Sequence, residues 1–246
     1  MAKLRSSNIE PSTGTTLTLG ASGDSVAVSS DSIKANTWQD TGGNNLFVSD
    51  GAGTLSNVNS GLAGGGYTLL QTVDIADADY VYITSDIDST YKHYMFVFNN
   101  MYCSSNDTSN LTFQGSINGG SSYGVDQTST FFSAYNYNGG QGAALQYYTS
   151  HDDVSGTAYQ PLTYIMSNDN IQRSSIIFHL YNPAQTVYHK NYTCRSFSVG
   201  PDGAARYYSD NYVAGRFQTA SAIDALAFKM TTGDIKYGYL QMYGVS

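Results

Sequence analysis

A chain of 246 residues is long enough to bury a proper core, as one large β domain or two small ones. It has 25 Gly, 22 Tyr and a single Glu, Glu10, so residues that favour helix surfaces are scarce while those that suit strands and turns abound. A net charge of −8 leaves no basic face to neutralise a run of phosphates, which argues against nucleic acid as a partner.

At the N-terminus, Met-Ala-Lys-Leu-Arg-Ser-Ser-Asn is positively charged but has no apolar stretch behind it, so no signal peptide is expected. No window approaches the roughly 18 apolar residues of a membrane span, and the expectation is a protein made in a cytoplasm without membrane insertion. Leu17 and Leu19, then Val26 and Val28, alternate with polar residues around Ala21-Ser22-Gly23-Asp24 and predict a short hairpin. A second strand and turn is predicted at Leu46-Phe47-Val48-Ser49-Asp50-Gly51. Strands this thin hold too few large side chains to offset their ordering entropy, so residues 1–66 are read as a segment that folds against another chain.

All 22 tyrosines lie at or after Tyr67, and the change in composition coincides with the flexible stretch Gly61-Leu62-Ala63-Gly64-Gly65-Gly66. From Tyr67 onward the period-two pattern recurs between turn signals. The predicted strands are Tyr67–Ile75, Tyr80–Thr84, Tyr91–Phe98, Leu111–Ile117, Ala143–Thr149, Ser174–Tyr181, Val187–Val199, Ala222–Met230 and Tyr237–Val245. In Tyr91–Phe98 both faces are largely apolar, as in a central strand, and Ser174–Tyr181 is similar. Ala222–Met230 fits a helix nearly as well as the preferred strand. Many short strands with Gly-rich turns and no alternation of strand and helix predict an all-β, antiparallel, jelly-roll-like sandwich over residues 67–246.

Several phrases in this region go together: Leu69-Leu70-Gln71-Thr72-Val73, Asp86-Ile87-Asp88-Ser89-Thr90-Tyr91 running into Tyr94-Met95-Phe96-Val97-Phe98, and Ser116-Ile117-Asn118-Gly119-Gly120-Ser121-Ser122-Tyr123. With Leu180-Tyr181-Asn182-Pro183 and the close from Phe228-Lys229-Met230 to Met242-Tyr243-Gly244-Val245, they resemble a domain of virion structural and fibre proteins of marine tailed bacteriophages. The resemblance covers roughly residues 65–246. Thr15 to Asp24 is similar to the strand and turn repeats of phage fibre shafts. The resemblance implies a place on a virion, usually as a homo-oligomer, with receptor contact often supposed for fibre members, and it supplies no catalytic residues. A homotrimer attached to other virion proteins through residues 1–66 is the expectation.

Signals for chemistry are few. The chain has no Gly-x4-Gly-Lys-Ser/Thr loop and no Gly-x-Ser-x-Gly elbow, so no cofactor and no enzyme activity are expected. Cys103 and Cys194 are too few for a disulfide framework and are read as free. None of His93, His151, His179 and His189 has metal-ligand spacing, although His179 and His189 are candidates for cross-strand neighbours. His151-Asp152-Asp153 is read as a solvated turn before a cation site, and Asp74, Asp77 and Asp79 form a weak Ca²⁺ candidate without the glycine and terminal Glu of an EF-hand loop. A glycosidase needs only two carboxylates, but the 19 acidic residues fall mostly in turns.

Tyrosine is the remaining signal. Tyr135/Tyr137, Tyr147/Tyr148 and Tyr207/Tyr208/Tyr212 fall in or near segments rich in Asn and Gly that read as loops, and such rings suit recognition of a host glycan or protein surface. The alternative is strand tyrosines that finish a sheet. A carbohydrate-binding sandwich outside any virion is the second functional reading, and a polysaccharide depolymerase the third.

Overall fold

In the structure, a computed structural model that describes residues 37–39, 44–49, 55–56, 66–105, 109–140, 142–200 and 206–245, the alternation in the sequence becomes strands. The chain divides into two units, Met1–Gly64 and Gly65–Ser246. The hairpin expected around Ala21-Ser22-Gly23-Asp24 lies outside the described residues, as does all of the Gly-rich stretch except Gly66.

In the first unit, β1 (Thr37–Gln39), β2 (Asn45–Ser49) and β3 (Leu55–Ser56) form one antiparallel sheet. Trp38 stands opposite Phe47, and their half-buried rings stack at 5.7 Å. A single aromatic pair on three short strands is a small core.

The second unit is two antiparallel sheets. The larger has nine strands: β4 (Tyr67–Ala78), β6 (His93–Cys103), β8 (Gln127–Tyr137), β9 (Ala143–Tyr147), β10 (Val154–Gly156), β12 (Ser174–Tyr181), β13 (Lys190–Val199), β14 (Tyr207–Phe217) and β16 (Ile235–Val245). Their order is β10-β8-β14-β13-β12-β6-β16-β4, with β9 also on β8. The smaller sheet is β11 (Gln160–Pro161), β7 (Leu111–Ser116), β15 (Ala225–Met230) and β5 (Val81–Ile83), in that order. From β4 to β8 each successive strand changes sheet, and β11 and β15 each leave the larger sheet for the smaller before the chain returns; β15 lies between β5 and β7, and β16 between β4 and β6. That interleaving is jelly-roll-like, and it wraps both sheets around one core.

Large side chains at alternate positions fill that core. Tyr94, Phe96 and Phe98 of β6 and Ile176, Phe178 and Leu180 of β12 are buried beneath the larger sheet. From β7, the Phe113 ring lies 4.6 Å from Phe178, 4.9 Å from Tyr192, 5.9 Å from Phe217 and 6.3 Å from Phe228. Ala222–Met230, where the sequence fits a helix almost as well, contains β15, paired on both sides by β5 and β7. Pairing on two sides holds the segment extended, and Leu226, Phe228 and Met230 share its core face while Ala227 is buried on the other.

Two long strands absent from the sequence reading, β8 and β14, pair over eleven positions. Their inner faces carry buried Gln127, Ser129, Ser133, Ser209 and Asn211, which hide the apolar period. Hydrogen bonds offset the burial: Tyr192 donates to Gln127 Oε1 at 3.0 Å, and Asn211 Nδ2 donates to the hydroxyls of Ser196 and Ser198, both at 3.1 Å. Gly215 of β14 sits against Tyr192, and a methyl group there would overlap the phenol ring. Cys103 and Cys194 are buried and form no disulfide with each other, and the Cys103 thiol donates to the Met166 carbonyl at 3.2 Å.

Candidate binding surfaces

The two sheets differ in what lies over their outer faces. Over the smaller one, Gln114 Nε2 donates to the carbonyls of Thr157 and Ala158 at 3.1 and 2.9 Å, and Gln114, Ser116 and Ala227 are buried. Tyr80, Tyr82 and Tyr123 stack in a row at 5.3 and 5.5 Å along the same side, with Tyr159 edge-on to Tyr80 at 6.5 Å. Lys229 Nζ lies 4.7 Å from the Tyr159 ring centroid, and burial pushes the Tyr159 hydroxyl up to about 12. The spacing of Tyr80 and Tyr82 shows in the sequence as alternation; the arrival of Tyr123 and Tyr159 from distant loops does not. Because the rings face one another, the row clads the sheet and presents no flat platform.

Among the described residues, none is placed over the outer side of the larger sheet, opposite the core. Across β9, β8, β14, β13, β12 and β6, one row of residues in register reads Tyr147, Phe132, Tyr212, Arg195, Ile177 and Val97. Phe132 and Tyr212 stack at 4.9 Å, 5° from parallel, and the Arg195 guanidinium lies 5.3 Å from the Tyr212 centroid on the next strand. Arg195 Nε and Nη2 donate to the two carboxylate oxygens of Asp210 at 2.9 and 2.7 Å. This fork holds the Asp210 carboxyl below the usual carboxylate range. One row over, Thr130, Ala214 and Thr193 are in register and lead to His179. Their small side chains floor a depression of about 440 Å³ walled by Phe132, Tyr212, Arg195 and Ile177.

The seven tyrosines expected in binding loops are, with one exception, strand residues. Tyr135 and Tyr137 lie in β8, Tyr147 in β9, and Tyr207, Tyr208 and Tyr212 in β14; only Tyr148 lies between elements. Alternation divides them between the two faces of the larger sheet. On the inner side Tyr137 packs 5.5 Å from Tyr207, Tyr207 5.8 Å from Tyr164, and Tyr164 stacks on Tyr148 at 4.4 Å. Tyr135 joins them 5.6 Å from Tyr137, and burial drives the Tyr148 hydroxyl well above the tyrosine range. On the outer side, Tyr208 stacks on Phe197 at 6.2 Å, Tyr212 is half-buried beside Phe132, and Tyr147 donates to Asp152 Oδ2. Of the seven, only Tyr147 and Tyr208 are exposed, and both are on the outer face.

The titratable groups occur singly or in pairs. His151 packs among Phe131, Tyr148 and Tyr164, and its ring nitrogens meet the Asn110 amide at 3.2 Å and the Ser150 hydroxyl at 3.1 Å. Burial lowers its pKa below the ordinary value. His179 is hydrogen-bonded to His93 at 2.8 Å across β12 and β6, not to His189, which is exposed ahead of β13. Burial lowers the pKa of both rings of the pair. Asp77 pairs with Lys236; Asp79 shares a hydrogen bond with Asp234, which raises the Asp234 pKa; Asp74 stands opposite Tyr239 in mid-strand. Among the described residues no group of three or more His, Cys, Asp or Glu is placed to hold a metal ion, so Asp74, Asp77 and Asp79 do not form the Ca²⁺ cluster entertained from their spacing.

No protein-family model and no curated protein matches the chain.

Proposed function

We propose that this chain is a non-enzymatic structural subunit of a tailed-phage virion, a tail fibre or a head fibre or decoration protein. Residues 1–66 serve as the attachment and oligomerisation segment, and the sandwich is the displayed domain. The observation that carries this reading is the division of labour between the units. The second has a complete core of its own around Phe113, whereas the described strands of the first share one aromatic pair, as suits a segment completed by sister chains. The phrases that resemble phage fibre proteins all but the shaft-like one fall within the sandwich. Light scattering of the purified full-length chain tests the assembly: a homotrimer is expected, and a stable monomer refutes it. Labelling of intact particles with an antibody to the sandwich tests the location.

A second reading, a carbohydrate-binding module outside any virion, draws on Tyr147 and Tyr208, which are exposed on the same face as the Arg195 and Asp210 fork. Glycan arrays probed with the wild type and the Tyr147→Ala/Tyr208→Ala variant separate the two. Tyr207 is unsuitable as a surface probe because it is buried in the inner cluster.

A further inference from the structure

We infer that the outer face of the nine-stranded sheet, from β9 to β12, is covered by a second copy of this chain. Self-association through this face goes beyond the virion reading and is independent of contacts through residues 1–66.

Area is the first reason. Leu145, Tyr147, Phe132, Ile177, Phe197 and Tyr208 are 73%, 52%, 37%, 42%, 44% and 37% exposed. With a large apolar side chain offering about 200 Å², these six alone leave roughly 570 Å² in water. That approaches the roughly 800 Å² that each partner contributes to a standard interface, and the intervening side chains on the same strands add to it.

Shape is the second. The stacked Phe132 and Tyr212 rings stand on edge, and with Ile177 they form a ridge; the floor of Thr130, Ala214 and Thr193 forms a trough beside it. A ridge next to a trough on one surface is self-complementary, which a two-fold contact requires, and face-to-face sheets interdigitate in this way. A sugar is a poorer occupant, since both faces of the Tyr212 ring are taken, one by Phe132 and the other by Arg195.

Charge is the third. The chain carries −8, so most surfaces of two copies repel each other. The outward positions of β8, β9, β12, β13 and β14 hold Arg195, Asp210 and Arg216, with Arg195 and Asp210 already paired, so like chains meet here with little repulsion.

Sedimentation velocity of the full chain between about 1 and 100 µM, with hydroxyl-radical footprinting of Phe132, Ile177 and Tyr208, tests this. Ile177→Asp and Ala214→Arg each place a charge in the contact at an exposed position, and a far-UV melt at low concentration checks that each variant folds. The expected result is that both variants halve the wild-type mass and expose the face that association protects. A wild-type oligomer that both variants leave intact overturns the inference, even if that oligomer is the trimer proposed through residues 1–66. A particle of six copies falling to three supports both. A wild-type monomer overturns both, and so does a monomer whose face is protected at every dilution, because the chain then covers itself. Loss of host-envelope binding in the variants without a change of mass overturns it in favour of a host ligand, since Tyr147 and Tyr208 cannot serve both contacts.

Discussion

Replacing Phe113 by alanine removes the ring on which four others converge. Phe178, Tyr192 and Phe217 approach it from the larger sheet and Phe228 from its own, at 4.6 to 6.3 Å. Each of the four is itself buried and paired into a sheet, so none can move inward to fill the space without opening its own contacts. A phenyl ring exchanged for a hydrogen on Cβ leaves about 100 Å³, and at about 24 cal/mol per Å³ of residual cavity this adds about 2.4 kcal/mol to a transfer loss of about 2 kcal/mol. The expected destabilisation is therefore about 4 kcal/mol, which lowers the midpoint of a domain this size by about 10 to 15 °C. Urea unfolding followed by far-UV circular dichroism is the suitable assay, because the single tryptophan, Trp38, belongs to the other unit and its fluorescence would report the wrong transition. Phe113→Leu keeps most of the volume and should cost about 1 to 1.5 kcal/mol. A Phe113→Ala loss below about 1.5 kcal/mol would mean that the two sheets do not meet at this ring.

Gly215→Ala places a methyl group against the Tyr192 ring, which is fixed by its hydrogen bond to Gln127, so overpacking should cost about 1 to 3 kcal/mol in the same urea assay. A change within about 0.5 kcal/mol would show that β14 moves away from β13 without strain. The histidines set a pH dependence. Burial lowers the pKa of His151, His93 and His179 in the folded state, from an unfolded value near 6.5. The unfolded chain then binds protons that the folded chain refuses, so stability is complete above about pH 6.5 and falls as pH drops from there toward the folded values. Urea midpoints should be level from pH 8 to 7 and decline below 6.5, with a shallower decline in His151→Asn; a flat profile down to pH 5 would refute the shifts.

Strands whose inward positions are large and apolar were legible. Ser174–Tyr181 has the same limits in sequence and structure, and Leu111–Ile117 and Ala222–Met230 overlap β7 and β15, because Ile176, Phe178, Phe113 and Phe228 mark the buried face. β8 and β14 were not, because Gln127, Ser129, Ser133, Ser209 and Asn211 occupy positions where apolar residues announce a strand, and Asn and Gly depress strand propensity. With those two strands unseen, their tyrosines read as loop residues. The hydrogen bonds that make polar inward positions acceptable reach across the sheet, from Ser196 and Ser198 to Asn211 and from Tyr192 to Gln127, and no local pattern records them.

The clearest disagreement between sequence and monomer is of another kind. β6 and β12 are apolar on both faces, the pattern of strands buried on both sides. Inside, Phe96 and Phe178 meet that expectation; outside, Met95, Val97 and His179 are half-buried and Ile177 is exposed. A sheet meant to face water on one side would carry polar residues there, and the smaller sheet, whose outer face lies under its own loop and tyrosines, shows that this chain clads a sheet when it must stand alone. The two strands are thus patterned for a cover that the described residues do not supply. The register places their outward residues in the same rows as Phe132 and Tyr212, so one packed surface would satisfy all of them together.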